Sequence, residues 1–239
     1  MEKIVFKLWR NDSDLLEKFK ESLLVDLPET LESLVCELQI NIADDDVKAA
    51  AELVQTNYSQ NPDAIVFIKV TSQYHSENIV QILRTMANKV DGFIVSESII
   101  LQDGSKDHTG KRSEGFSQIV FLEKPTEMTE FDWFDHWTHH HTKIAIETQS
   151  NFTYIQNTIV RPLQNDSPNF IAVIEECFPS EAMSNPSIFY NADDDSELLL
   201  NNTKLMMESC SRFIDFQKIE VIPTCLLYTS PSPRDEKVS

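Results

Sequence analysis

The chain has 239 residues, 41% hydrophobic and 25% charged, which suits one large or two small globular domains and excludes a disordered, fibrous or disulfide-stapled miniature chain. Its 39 acidic residues against 20 basic ones give a net charge of -19, a balance that repels phosphate backbones and anionic lipid and so excludes nucleic-acid and membrane-surface partners. No apolar run reaches the roughly 18 residues of a membrane span, no leader-like segment opens the chain, and the four cysteines (Cys36, Cys177, Cys210, Cys225) lack any Cys-x-x-Cys pair, so a cytoplasmic chain with reduced thiols is expected.

The first predicted element is an apolar strand from Lys3 to Trp9. A helix follows, because Leu16, Phe19, Leu23 and Leu27 recur at three- and four-residue steps and Asp12 or Ser13 can cap it. Strands are expected from Leu34 to Ile42 and from Ala64 to Val70, then a helix carrying Ile79, Ile82, Leu83, Met86 and Val90, then a strand from Phe93 to Ile99. Three of the four glycines (Gly104, Gly110, Gly115) fall between residues 102 and 115, a linker by composition.

Beyond it the order repeats. Gln118 to Leu122 shares Ile-Val-Phe with the opening strand, and a helix with Phe131, Phe134, Trp137, His141 and Ile144 on its apolar stripe comes next. Strands at 152–160 and 170–174, a helix with Leu199, Met206, Cys210 and Phe213, and a strand from Lys218 to Ile222 complete a second copy. The expectation is an α+β chain of two ferredoxin-like β-α-β-β-α-β repeats, residues 1–101 and 116–224, packed sheet to sheet as a pseudo-dimeric α/β barrel, because each sheet with helices on one side leaves an apolar face for the other to cover. Residues 225–239 have no counterpart in the first half; Ser-Pro-Ser-Pro and a charged end read as a disordered tail, and Leu226 to Asp235 resembles translated sequencing-adaptor read-through.

Four histidines crowd the second-half helix: His136, His139, His140 and His141. At about 100° per residue, His141 falls within roughly 30° of the centre of the apolar stripe, His140 at its edge beside Trp133, His136 further round and His139 outside. An inward imidazole needs a partner or a ligand, since an unpaired buried polar group costs about 1–3 kcal/mol; a core histidine bonded to a backbone carbonyl is the alternative. Carboxylates stand nearby, and Glu175 and Glu176, adjacent on a strand, must face opposite sides, which leaves open which one meets the histidine. No metal is expected; His136 and His140, four apart, are the two imidazoles whose spacing would reach one.

Trp137-x-x-x-His141 with Ile144 and Tyr154-Ile-Gln-Asn157 resembles the signature of the EthD-like family of dimeric α/β barrels. Gly115-Phe-Ser-Gln118, Ala145-Ile-Glu-Thr-Gln149, Val173-Ile-Glu-Glu176 and Arg212-Phe-Ile-Asp215 resemble the fused two-repeat subgroup, and Lys143 departs from the proline usual there. The resemblance implies the barrel fold and places the family's motif histidine at His141, with Trp137 shaping the pocket and Tyr154 beside it. Family members and barrel relatives include cofactor-independent monooxygenases, dehydratases, decarboxylases and isomerases of aromatic or polyketide-like molecules.

The resulting expectation is an enzyme for a small apolar molecule, with His141, Glu176 and Tyr154 catalytic and Trp137, His140, Trp133, Gln156 and Glu175 binding substrate. No Gly-rich phosphate loop is present, and no cofactor is expected. The alternative is a non-catalytic carrier or accessory protein using the same cavity. The chain is expected as a monomeric pseudo-dimer or a homodimer.

Overall fold

The structure, a computed structural model, describes residues 1–58, 60–102 and 112–230. Strand β1 (Glu2–Trp9) is buried on both faces. Ile4, Phe6 and Leu8 turn towards the helices of the first half, whereas Val5 turns to the opposite side, where it meets residues of the second half. Period-2 alternation of the pleat makes one strand serve two cores.

Among the described residues eight further strands follow: β2 (Glu37–Ile42), β3 (Gln55–Thr56), β4 (Ala64–Val70), β5 (Lys89–Gln102), β6 (Phe116–Leu122), β7 (Thr153–Pro162), β8 (Ala172–Phe178) and β9 (Ile219–Ser230). The main helices are α1 (residues 16–31), α2 (Ser76–Met86), α3 (residues 130–148), α4 (Pro186–Phe189) and α5 (Ser196–Phe213). All strand pairings are antiparallel, in the order β2-β4-β1-β5-β7-β8-β6-β9, and β9 returns to β2 so that the sheet closes on itself; β3 adds a short rung to β9. Each half thus contributes a ferredoxin-like four-strand unit, and the fourth strand of each pairs with the second of the other. This is the α/β barrel expected from the sequence, with helices outside.

The buried apolar side chains of the described residues gather in three cores. The first half packs Phe19, Leu23, Leu27 and Leu31 of α1 and Ile79 and Leu83 of α2 on its sheet. The second packs Trp133, Trp137 and Ala145 of α3 and Met206 and Phe213 of α5 on Val120, Tyr154, Ile174 and Val221. The barrel interior holds Val5, Phe67, Phe93, Ile119, Phe121 and Ile222, with a fully buried Lys7–Glu220 ion pair among them. Lys7 Nζ lies 4.8 Å from the Phe121 ring centroid, so its charge meets an aromatic face as well as a carboxylate.

Several expectations shift. The shared Ile-Val-Phe tripeptides are not structural equivalents: Ile4 and Phe6 face helices, while Ile119 and Phe121 face the barrel interior. One residue of slip in a strand exchanges its faces, and the faces, not the letters, mark the equivalent positions. Phe131, placed on the buried stripe of α3, is 79% exposed, and Trp133 takes the inward position. Residues 225–230 are not a disordered tail: β9 runs through them beside β2, pairing Cys225 with Ile42 and Leu226 with Asn41, and Cys225, Leu226 and Leu227 are buried. An unpaired β2 edge provides the reason, since its free N–H and C=O groups need partners. The remainder of that tail, and the glycines Gly104 and Gly110 of the linker, lie outside the described residues.

Candidate functional site

The site is built on one row across three strands. Register pairs Glu176 of β8 with Gln118 of β6 on one side and with Tyr154 of β7 on the other, so the three side chains stand together on the helix-facing side of the second half. Glu175, one residue earlier, points the other way into the barrel interior, where Oε1 accepts from Gln39 Nε2 at 2.6 Å and from Ser117 Oγ at 3.4 Å. The choice that the sequence leaves open therefore falls on Glu176.

Above this row lie α3 and α5. Helix α3 starts from a Thr129 cap, whose Oγ1 accepts from Asp132 N at 3.1 Å, and contains a π-helical segment at His136–His141. Bonding from i to i+5 carries the chain round a wider turn than an α-helix, and such segments recur at functional sites. It sets Trp133, Trp137, His141 and Ala145, four residues apart, all inward. Helix α1 of the first half has a π-helical segment too, at Ser22–Asp26, and there the inward positions are Phe19, Leu23, Leu27 and Leu31.

Between the row and the helices is a cavity of about 210 Å³. Its polar wall is His141, Glu176, Tyr154, Gln118 and Gln149; its apolar wall includes Val120, Ile174, Phe189, Met206, Cys210 and Phe213. Exposed Glu52, Gln55, Met207 and Phe216 form its outer rim, the first two contributed by the first half. His141 is 6% exposed, its Nδ1 lies 3.0 Å from Ser209 Oγ and its ring packs 4.6 Å from that of Phe213. Burial, reinforced by the nearby His136 charge, brings its pKa down to about 3, so the ring is neutral at physiological pH.

Glu176 behaves in the opposite sense. Burial pushes its carboxyl up to about 7, offset in part by hydrogen bonds from Asn151, whose Nδ2 donates to Oε1 at 3.1 Å, and from Gln118. Tyr154 is fully enclosed, and burial together with the Glu176 charge holds its hydroxyl well above the usual phenol range. Gln156 Nε2 donates to the Tyr154 hydroxyl at 3.1 Å and to Thr142 Oγ1 at 2.7 Å, and the Thr142 hydroxyl is a further partner of the phenol.

The other predicted residues are placed less directly. Gln156 and Trp137 form the layer behind Tyr154 and are not part of the cavity wall; the buried Trp137 indole N–H faces that phenol without a well-formed hydrogen bond. Trp133 packs at a tilt against Trp137, 4.8 Å between ring centroids, and donates its Nε1 hydrogen to the Phe213 carbonyl at 2.7 Å, so it anchors α3 to α5. His140 does not reach the cavity: its side chain is 64% exposed, with Nε2 3.6 Å from Asp135 Oδ2. His136 turns Nε2 to Ser209, away from His140, although the two rings stack at 5.8 Å. Sequence reasoning missed Gln118, Gln149, Asn151 and Ser209. Strand alternation from Glu176 across paired strands could have found Gln118; Ser209 sits in an amphipathic helix whose stripe reads as plain core.

Residues 125–217 match the EthD domain model, a stretch of the second half that includes all of α3, β7, β8 and α5. An anthrone oxidase-like protein of known structure superposes with a TM-score of 0.57 at 6% identity, over 97% of this chain and 94% of that one. A candidate monooxygenase from Lactobacillus acidophilus NCFM gives 0.48 at 12% identity, over 97% and 96%. At 6% identity the likeness to the anthrone oxidase-like protein is one of fold. No curated protein matches the chain by sequence.

Proposed function

We propose that the chain is a small-molecule enzyme that moves protons at a carbon beside a carbonyl or hydroxyl group, with Glu176 and His141 acting within one cavity. The observation that supports this most is the opposite tuning of the two groups: a carboxyl poised near 7 and an imidazole kept neutral, both on the wall of an otherwise largely apolar pocket. In this reading the Glu176 carboxylate takes a proton from a C–H bond, the C–H electron pair becomes a C=C bond, and the carbonyl oxygen gains the displaced pair. The Tyr154 hydroxyl donates a hydrogen bond to that oxygen and the His141 ring N–H protonates it. As the enol oxygen returns its proton to His141, delivery of the Glu176 proton to a different carbon gives isomerisation, and its delivery to a neighbouring hydroxyl, which leaves as water, gives dehydration. An apolar cavity of about 150 Å³ admits benzene, so 210 Å³ suits one substituted ring or a short polyketide-like chain.

The repeat architecture belongs to the same proposal. Residues 1–101 and 116–224 are read as two copies of one unit, of which only the second has kept a site, because the first copy fills the positions of Trp133, Trp137 and His141 with Phe19, Leu23 and Leu27. The barrel closes within one chain, which favours a monomeric pseudo-dimer. The four cysteines are not joined in disulfides, which favours a reducing, cytoplasmic setting.

The test is deuterium exchange. The purified protein is incubated in D2O with a panel of aromatic hydroxy-ketones, and incorporation beside the carbonyl is followed by NMR. At least one compound is expected to exchange, with a loss of 100-fold or more in Glu176→Gln and in His141→Gln. Saturable binding of a panel member without exchange in the wild type would replace the enzyme by the carrier.

A further inference from the structure

Helix α5 separates two hollows. Met206, Cys210 and Phe213 face the cavity, while Leu205, Glu208, Ser209 and Arg212 line a surface groove of about 470 Å³ that also takes in Asp135, His136 and His140. Ser209 joins them. Its hydroxyl lies 3.0 Å from His141 Nδ1 and 3.2 Å from His136 Nε2, so a continuous hydrogen-bonded path runs from a side chain on the cavity wall to one on the groove.

The direction of each hydrogen follows from the acceptors. His136 Nε2 is also 3.2 Å from the Ser209 backbone carbonyl oxygen, which can only accept, so Nε2 carries a hydrogen. The Ser209 hydroxyl, approached by that N–H, is free to donate to His141 Nδ1. His141 is then the tautomer with its hydrogen on Nε2, the nitrogen left for the cavity.

We propose that His136, Ser209 and His141 form a proton relay between the groove and the cavity. A group in the cavity takes the Nε2 proton of His141; the Ser209 hydroxyl proton passes to His141 Nδ1; the His136 Nε2 proton passes to Ser209 Oγ; and His136 Nδ1 takes a proton from a solvent acid, hydronium or protonated buffer. One proton enters from solvent and one leaves to the substrate, each histidine changes tautomer, and every group is neutral before and after. Passage in reverse restores the starting hydrogens. Burial makes this the workable arrangement, because a ring so enclosed resists becoming an imidazolium yet exchanges tautomers at no cost in charge. The π-helical turn is what allows it: at α-helical pitch residues five apart diverge by about 140°, whereas i to i+5 bonding brings His136 and His141 to the same serine.

The relay deepens the acid–base reading of His141 and rests on it for its use, but its test needs no substrate. Protein labelled with 15N at histidine is examined by NMR at pH 7, reading the tautomer of His141 from its ring nitrogen shifts and the exchange of its ring N–H with water. The expected result is the Nε2–H tautomer, with exchange at least tenfold slower in Ser209→Ala and in His136→Gln, and recovery in Ser209→Thr, which keeps the hydroxyl. Unchanged exchange in a folded Ser209→Ala, or a His141 in the Nδ1–H tautomer, would overturn the relay whatever the deuterium-exchange assay gives. A relay that passes this test in a protein without turnover would reject the enzyme reading alone.

Discussion

Glu176 and His141 are opposed in their effect on stability as well as in chemistry. Between pH 4.5 and about 7 folded Glu176 keeps a proton that the unfolded chain has released, so stability falls as pH rises through that window. Above it the cost of the buried charge is complete, about 3 kcal/mol by linkage. His141 acts from the acid side: from pH 6.5 down to about 3 the unfolded chain takes up a proton that the folded ring refuses, so stability falls as pH falls. Glu176→Gln is therefore expected to raise the urea midpoint at pH 8, by a gain of up to about 3 kcal/mol, and to leave it unchanged near pH 4; an equal gain at both would mean that the carboxyl is not held protonated. The identity of His141 as the inward histidine was legible from helical geometry, because any stripe that includes Trp137 carries position 141 with it. Which glutamate faces it was not, since alternation gives opposite faces to Glu175 and Glu176 without saying which face is which. That assignment comes from register, when Glu176 falls beside Tyr154 and Gln118.

At the scale of elements, the sequence shows strands and helices wherever apolar spacing is regular and fails where the spacing changes. Helix α3 is the clearest case. An unbroken 100° step puts Phe131 on the inner face and His136 round the side, but the π-helical turn advances by more residues per turn, giving Trp133 the inner position and His136 a bond to Ser209. Nothing in His-Trp-Thr-His-His-His announces that turn. The matching segment in α1 arises from the unrelated residues Ser22–Asp26, so the wide turn is a property of how this helix lies on this sheet. Gly115, which composition marks only as the end of a linker, meets a stricter local requirement. It enters β6 with φ +77°, and a Cβ there would stand 2.1 Å from the Phe178 carbonyl oxygen of β8. Gly115→Ala combines a left-handed backbone, about 1–3 kcal/mol for a residue with a side chain, with separation of two strands that hold the site. The expected outcome is a thermal midpoint lower by at least about 4 °C, measured by circular dichroism; a midpoint within 1 °C of wild type would show that the strand entrance gives way freely.

The whole molecule depends on two seams, β5 with β7 and β9 with β2, because only with both does the sheet close and cover the barrel interior. The first seam lies within the segments predicted from the sequence. The second requires the stretch that composition assigns to a tail, and its contribution can be estimated. Cys225, Leu226 and Leu227 are at most 9% exposed, and leucine burial contributes about 1.5–3 kcal/mol per side chain, besides the backbone bonds that β2 would otherwise present to water. A chain ending at Thr224 is therefore expected to lose about 4 kcal/mol or more, a large fraction of the 5–15 kcal/mol that stabilises an ordinary domain. Urea unfolding would show it as a lower midpoint with ANS binding at the opened seam. A midpoint unchanged by the truncation would mean that β2 is stable as a free edge. The requirement is for a strand at this place and not for these particular letters, so in-frame genomic codons encoding any other apolar, β-forming segment there would meet it equally well. The same logic explains why the two halves can differ so much in sequence: closure needs two four-strand units whose second and fourth strands meet, and the cavity residues of the second half lie on the helix-facing side, where they are free of that constraint.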